Sequence, residues 1–362
     1  MQHSTTIPPG GLVLITGVNG FLASHLALQL LQRGYAVKGT VRTPETASWI
    51  TSAMKSHYPN APFQAVVIPN LSAPGIMDSL LQDVSGVVYM AADTSLNPSP
   101  HEVITPGLAA LQSALESAAS NPSVKRFVLT SSYTAAVDTF VSPPSTTTTT
   151  ITPSSWNTTS GARAWAPPPY DPPRALDVYQ SLKTETEKLL WNFAREQNPA
   201  FVCNSVLPGF VIGPIVHARQ RGSTAALVRA YFDDPACSQA FAWISAPWVV
   251  DVGDTALLHL AGLVEEDVRG ERLLALAGRF DLQGFERAFE GIDPARSWGS
   301  KQEGKEEDKG GIQWVADTKR EVAVLQRMGQ GEEGFTPFLE SVRRTCLEGD
   351  REWMFRSFLP EP

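Results

Sequence analysis

One stretch of this 362-residue chain constrains its fold more than any other: Leu12 to Thr43, LVLITGVNGFLASHLALQLLQRGYAVKGTVRT. Leu12 to Ile15 is a short apolar run of the length of a fully buried strand. A glycine-bearing turn, Gly17-Val18-Asn19-Gly20-Phe21-Leu22-Ala23, follows Thr16. From Ala23 onward Leu26, Leu30 and Leu31 recur at helical spacing, and Gly34 supplies the stop. Tyr35 to Val41 reads as a second strand. Strand, glycine turn, helix and strand make a βαβ unit. Its first turn brings backbone N–H groups and a helix N-terminus to a point where a pyrophosphate can sit.

The turn alone leaves two readings open. Its glycines are Gly17 and Gly20, with Ala23 in the third small position, so it departs from G-x-G-x-x-G and fits a tight turn without ligand as well. The end of the second strand favours a cofactor. An NAD site usually carries Asp or Glu there for the ribose hydroxyls. This chain has Val41 and then Arg42, whose planar guanidinium suits a 2′-phosphate. A plain surface arginine is the alternative.

Composition narrows the class. Apolar residues make up 43%, enough for a large core, whereas 18% charged residues imply a weakly ionic surface. A net charge of −8 without any basic run argues against nucleic acid as partner. Cys203, Cys237 and Cys346 are odd in number and far apart, as for reduced thiols in a cytoplasmic protein. The six histidines show no metal-ligand spacing. MQHSTTIPPGG lacks the basic start of a signal peptide, and no apolar run reaches ~18 residues, so no membrane association is expected. The sequons Asn70-Leu71-Ser72 and Asn157-Thr158-Thr159 are then chance matches.

Strands and helices continue to alternate. Ser48–Ser56, Met77–Gln82 and Leu108–Ala119 read as helices; Phe63–Ile68, Val87–Ala92 and Arg126–Thr130 read as strands, the last ending at Ser131-Ser132. This spacing predicts a parallel, doubly wound sheet with ligands beyond its C-terminal strand ends, where Gly17, Arg42, Ala91 and Ser132 fall. The regularity fails at SPPSTTTTTITPSS (142–155) and APPPYDPP (166–173), so 139–173 is expected to be a mobile, mostly structureless surface excursion. Leu176–Gln197 reads as a long helix, Phe201–Leu207 as a sixth strand, and 208–214 as a turn. Beyond it, Thr224–Phe232, Gly253–Leu263, Thr318–Met328 and Phe335–Leu347 read as helices and Arg272–Ala277 as a strand. KQEGKEEDKGG (301–311) is a solvated charge run.

The long helix places Tyr179 and Lys183 four residues apart on one face. A nearby ammonium stabilises a phenolate, which lowers the tyrosine pKa from ~10 and suits it to exchange a proton with a carbonyl oxygen. Ser132 can hydrogen-bond that same oxygen, although a serine in a βα loop is often only a cap. Each feature has a structural explanation of its own. Their order, after a dinucleotide turn, points to carbonyl chemistry.

Five stretches, TGVNGFLASHL (16–26), GTVRT (39–43), VKRFVLTSS (124–132), YQSLKTETEKLLW (179–191) and LPGFVIGP (207–214), resemble the extended short-chain dehydrogenase/reductase superfamily. The resemblance is closest to its dihydroflavonol reductase and fungal aldehyde/ketoreductase branch, and continues more weakly through VVDVGDTALLHLAG (249–262). It implies a Rossmann-like domain over 10–214, with 249–262 returning to it. A smaller C-terminal substrate-binding lobe would come from 215–248 and 266–362, with 139–173 as a flexible insertion.

The same resemblance implies a catalytic triad of Ser132, Tyr179 and Lys183 and an NADP(H) cofactor. Gly17, Gly20 and the N–H groups of Phe21 and Leu22 would meet the pyrophosphate, and Arg42 the 2′-phosphate. Asn70 and Leu71 would lie beside the adenine, and Met90 and Ala91 beside the ribose. Tyr179 and Lys183 would also hold the cofactor, Pro208 and Val211 the nicotinamide, and Ser223 a phosphate. Three positions depart from the family's pattern. Leu182 replaces a small residue before the lysine, Thr46 stands where a second phosphate-binding lysine is frequent, and the Ser132-to-Tyr179 interval is long.

The implied reaction is NADPH-dependent reduction of a ketone or aldehyde on a mid-sized, partly apolar metabolite, as in secondary metabolism. Phe210, Phe232, Phe241, Trp243 and Trp248 would serve the lobe as core or as ligand contacts. The small-molecule carbonyl substrate would be the partner of a monomer or weak homodimer. An epimerase or isomerase on the same triad is one alternative. A dinucleotide-binding sensor without turnover is another; such proteins often lack the tyrosine or lysine that this chain keeps.

Overall fold

The computed structural model describes residues 5–73, 75–139, 149–220, 223–241, 248–298 and 314–349. The first half alternates regularly: β1 (Leu12–Ile15), α1 (Phe21–Gln32), β2 (Ala36–Val41), α2 (Pro44–His57), β3 (Phe63–Val67) and α3 (Ile76–Leu80). β4 (Val84–Tyr89), α4 (Pro100–Ala119) and β5 (Arg126–Thr130) continue it. Next come β6 (Thr149–Ile151), α5 (Ser160–Ala164), α6 (Ala175–Gln197), β7 (Val202–Pro208) and β8 (Phe210–Ile212). α7 (Thr224–Asp233), β9 (Trp248–Asp251), α8 (Val252–Val264), β10 (Arg272–Ala275) and β11 (Gly278–Arg279) follow. α9 (Leu282–Ile292), β12 (Trp314–Ala316), α10 (Lys319–Arg327) and α11 (Phe338–Leu347) close the described chain.

Seven strands form one parallel sheet in the order β3-β2-β1-β4-β5-β7-β10. The order reverses between β1 and β4, which opens a crevice at their C-terminal ends. Apolar side chains cover both faces of the sheet, as a parallel sheet requires. One face packs under α1 and α8 through Leu26, Leu30, Leu257 and Leu260; the other packs under α4 and α6 through Leu111, Leu115, Leu190 and Phe193. A second core of Phe210, Tyr231, Phe232, Phe285, Phe289, Trp298 and Val342 ties α7, α9 and α11 to a small sheet of β8, β9 and β11. Phe210 and Phe232 are thus core residues. Trp248 is buried beside Leu207 and Leu274. Trp243 and the side chain of Phe241 lie outside the described residues.

Besides the stretch read as a turn at 208–214, where β8 forms a strand paired with β9, four expectations need correction. The fourth strand starts at Val84 and ends at Tyr89, leaving Met90 and Ala91 in the crevice just beyond it. α4 begins at Pro100 rather than Leu108, because the helix continues through the interior Pro106 that argues for a later start. Residues 272–275, assigned to the lobe, form the edge strand of the main sheet instead; all four are buried, and α10 packs over them.

The fourth correction concerns 139–173, whose residues 140–148 lie outside the described residues. The rest is built into the protein: β6 pairs in parallel with β12, α5 packs on α6, and Ile151 is fully buried. Asn157 is only 3% exposed. Its Nδ2 donates to the carbonyl oxygens of Thr134 (2.9 Å) and Val137 (3.4 Å), and its Oδ1 accepts from the N–H groups of Thr159 (3.2 Å) and Ser160 (3.1 Å). Satisfied polar side chains take the place of an apolar pattern here, which is why composition reads as disorder. Among the described residues, no helix is long and apolar enough to cross a membrane.

Candidate active site

The helix that carries Tyr179 and Lys183, α6, is seated by one close approach. Leu182 is buried against Gly107 of α4, where a Cβ would stand 2.6 Å from Leu182 Cδ1. The bulky residue before the lysine therefore packs into a gap that a glycine leaves open. This docking turns Tyr179 and Lys183 toward the end of β5.

There the expected triad comes together. Ser132 is buried, and its Oγ accepts from Thr134 N–H (3.3 Å) and Thr134 Oγ1 (3.1 Å). Its hydroxyl faces the phenol of Tyr179, which is partly exposed. Lys183 Nζ lies 6.0 Å from the Tyr179 ring centre and donates to the carbonyl oxygen of Thr130 at 3.0 Å. Burial pushes Lys183 down to about 8, while Glu187 pulls it up. The expectation that Lys183 acidifies Tyr179 is not met in this state. Burial raises the Tyr179 pKa, opposed by the neighbouring Ser132 hydroxyl, so the phenol keeps its proton.

The crevice between β1 and β4 has the features of an anion cradle. Gly17 sits at φ +68° and gives its N–H to Thr40 Oγ1 at 3.0 Å. Thr16 Oγ1 accepts from the N–H groups of Met90 (2.9 Å) and Ala91 (3.0 Å), locking the two strand ends together. Gly20 is the N-cap of α1; no side chain caps that end and no acidic residue lies in its first turn. The N–H groups of Phe21 and Leu22 thus face an uncapped, electropositive terminus. Arg42 is exposed, with no hydrogen bond or ion pair among the described residues. Pro208 is buried and Val211 partly buried in and after β7, at the same end of the sheet.

Two expected contacts meet competition. Asn70 is exposed and its Oδ1 already accepts from Ser72 N–H (2.9 Å) and Ser72 Oγ (2.8 Å), so both lone pairs are engaged beside Leu71. Ser223 caps α7, its Oγ accepting from Ala226 N–H at 3.1 Å and donating to the Gln220 carbonyl at 3.4 Å.

Sequence reasoning missed several supporting groups. Gln220 is buried, and its Nε2 reaches Ser24 Oγ (2.8 Å) and the carbonyls of Asn19 (3.1 Å) and Gly20 (3.3 Å). His25 Nε2 lies 2.8 Å from the Pro214 carbonyl; burial pushes its pKa to about 4, so a neutral ring donates there. Together they strap residues 214–220 onto the start of α1. No spacing rule points to Gln220, whereas His25 stands one helical turn beyond Phe21. Two cavities, of about 250 and 280 Å³, lie elsewhere: one beside Asp251 and Phe338, the other between Trp156 and Trp191.

Comparison with known proteins shows the family and the fold. The model of the NAD dependent epimerase/dehydratase family matches residues 13–233. The NAD-dependent epimerase/dehydratase tndE of Aspergillus flavipes is 70% identical, covering 99% of either chain. Aldehyde reductase 2 of Sporidiobolus salmonicolor is 33% identical, covering 94% of this chain and 96% of its own. The crystal structure of yeast methylglyoxal/isovaleraldehyde reductase Gre2 complexed with NADPH shares the fold, with a TM-score of 0.75 at 24% identity over 92% of this chain and 96% of that one. On family match, identity and fold alike, this chain belongs to the NAD dependent epimerase/dehydratase family, within the extended short-chain dehydrogenase/reductase superfamily.

Proposed function

We propose that the protein is an NADPH-dependent carbonyl reductase that turns a ketone or aldehyde into an alcohol. The observation that carries this reading is the buried Ser132 beyond β5 facing Tyr179, with Lys183 on the next turn anchored to Thr130, beside a cradle suited to a dinucleotide. The residues present fit that cofactor. The uncapped start of α1 suits the pyrophosphate, Arg42, without a partner among the described residues, suits a 2′-phosphate, and Val41 leaves no carboxylate to repel one. Gly17, Gly20, Met90, Ala91, Pro208 and Val211 line the remaining path.

NADPH, when bound, supplies the hydride. Ser132 orients the substrate oxygen, and Tyr179, held neutral by burial, gives that oxygen its proton. Lys183, anchored on Thr130, compensates the phenolate left behind. The substrate is a small molecule. The acidic surface and reduced cysteines support work in the cytoplasm without nucleic acid or membrane. Exposed large apolar side chains such as Leu96, Trp165 and Leu339 are scattered among the described residues, which favours a monomer or weak homodimer.

The epimerase/dehydratase name of the 70% identical relative supports a second reading, transient redox on the same triad. Incubating the purified protein and NADPH with a panel of ketones and aldehydes, while following nicotinamide absorbance and products, separates the two. Net NADPH loss with an alcohol formed supports the reductase. An isomer formed without net loss gives the second reading, and NADPH binding with no carbonyl reduced would sink the first.

A further inference from the structure

Lys183 has a charged neighbour that the reaction as described leaves unused. Glu187 lies one turn further along α6, so Tyr179, Lys183 and Glu187 form a stripe at four-residue spacing. Its side chain is fully buried, and a carboxylate there requires an ionic partner and hydrogen bonds. Arg272, the first residue of β10, supplies a forked pair, Nε to Oε1 at 2.8 Å and NH2 to Oε2 at 3.0 Å. Ser205 Oγ of β7 donates to Oε1 at 2.6 Å. Ser131 Oγ donates to Oε2 at 2.8 Å, and Ser131 is the chain neighbour of Ser132.

One carboxylate thus joins the catalytic helix to two strands, β7 and β10, and to the backbone that carries Ser132. Arg272 extends the joint. Its NH1 reaches the carbonyls of Pro153 (2.7 Å) and Ser155 (2.6 Å), and its guanidinium lies 3.8 Å from the centre of the Trp156 ring.

We propose that Glu187 and Arg272 are positioning residues of the reductase: the carboxylate fixes the Ser132 strand end against Tyr179 and favours the charged form of Lys183, and Arg272 limits that favour. This rests on the triad assignment. The other groups facing Lys183 carry no charge that competes. Tyr179 on α6 and Tyr133 after β5 are both held neutral by burial. His259 of α8 is fully buried, with Nδ1 2.8 Å from the Thr255 carbonyl and Nε2 2.8 Å from Thr130 Oγ1. Its pKa is pushed down to about 4, so the ring is neutral in the working range. On the remaining side, α4 presents Gly107, and Arg163 of α5 is paired with Asp177 and Asp138.

Opposite charge changes at one pair give a readout that loss of packing alone does not. Glu187→Gln leaves Arg272 unopposed, so the alkaline limb of the kcat profile should move to lower pH by about one pH unit. Arg272→Met leaves Glu187 unopposed and should move the limb to higher pH. Where Arg272→Met fails to fold, the Glu187→Gln/Arg272→Met double variant removes both charges and should return the limb toward its unmutated place. An unmoved limb in Glu187→Gln, displacement of both single variants in one direction, or a double variant equal to Glu187→Gln overturns the proposal. Tyr179→Phe is assayed beside them. If it is inactive while the limb stays put, the proposal alone fails; if it is fully active, the triad reading fails with it.

Discussion

The ammonium of Lys183 donates to the carbonyl oxygen of Thr130 at 3.0 Å, two residues before Ser132. A single hydrogen bond therefore ties the cation of the helix to the strand that carries the serine. Burial has brought Lys183 down to about 8, so it is charged below that pH and neutral above it. Carbonyl reduction needs the charged form to support the phenolate. The rate of reduction should therefore fall as pH rises through about 8, and a kcat profile level well beyond that point would contradict the role.

Tyr179→Phe removes the proton donor and keeps the ring. NADPH affinity by fluorescence titration should fall by no more than the loss of one hydrogen bond, while turnover falls by roughly 10²–10⁴. Ser132→Ala should cost less, because one hydrogen bond to the substrate is lost rather than the proton. Retention of full activity in Tyr179→Phe would remove the mechanism.

Arg42 makes no bond within the described protein, so its guanidinium is available to a ligand. A charge-assisted pair with a 2′-phosphate is worth ~1.5–3 kcal/mol, or about one to two decades in affinity. The protein should prefer NADPH over NADH by that margin, and Arg42→Ala should erase most of it. Equal dissociation constants for the two cofactors in the unmutated protein would reject the assignment.

Glu321 of α10 is fully buried; its Oε1 accepts from Leu274 N–H of the edge strand at 2.7 Å, and its Oε2 has no partner among the described residues. Burial raises its pKa to about 7, above the unfolded value of 4.5. Between these values the folded state holds the extra proton, so this group's contribution to stability declines as pH rises from 4.5 to 7. The full effect is about 3 kcal/mol. Glu321→Gln keeps an acceptor for Leu274 and removes the titration. Its melting temperature relative to the unmutated protein should therefore rise from pH 5 to pH 8, and a constant difference would show that Glu321 is not the group responsible.

The Rossmann-like architecture was legible because its signals are local. Apolar runs such as Leu12–Ile15 and Phe127–Leu129 and the glycine turn state their own structure within a few residues. The stripe of Tyr179 and Lys183 is legible for the same reason, since both stand on one helix. Glu187 shares that stripe, yet its role depends on Arg272, which only the sheet brings beside it. Gln220 and Asn157 were illegible for a further reason. Their work is done with backbone carbonyls and N–H groups, and a sequence carries no mark of which ones will lie within reach. Asn157 matches a glycosylation motif by spacing, whereas burial leaves no room for a glycan.

The parallel pairing of β6 with β12 has a consequence for the order in which the molecule is made. Thr149–Ile151 emerges from the ribosome long before Trp314–Ala316, its partner, has been translated. Glu187 waits in the same way for Arg272. The dinucleotide cradle can assemble on the nascent chain from its own neighbours, whereas the β6–β12 pairing and the Glu187–Arg272 joint cannot form until the last third has been synthesised. Cofactor capture should thus precede catalytic competence during biosynthesis. A chain stalled before residue 272 would then be a species able to hold a nucleotide and unable to turn it over.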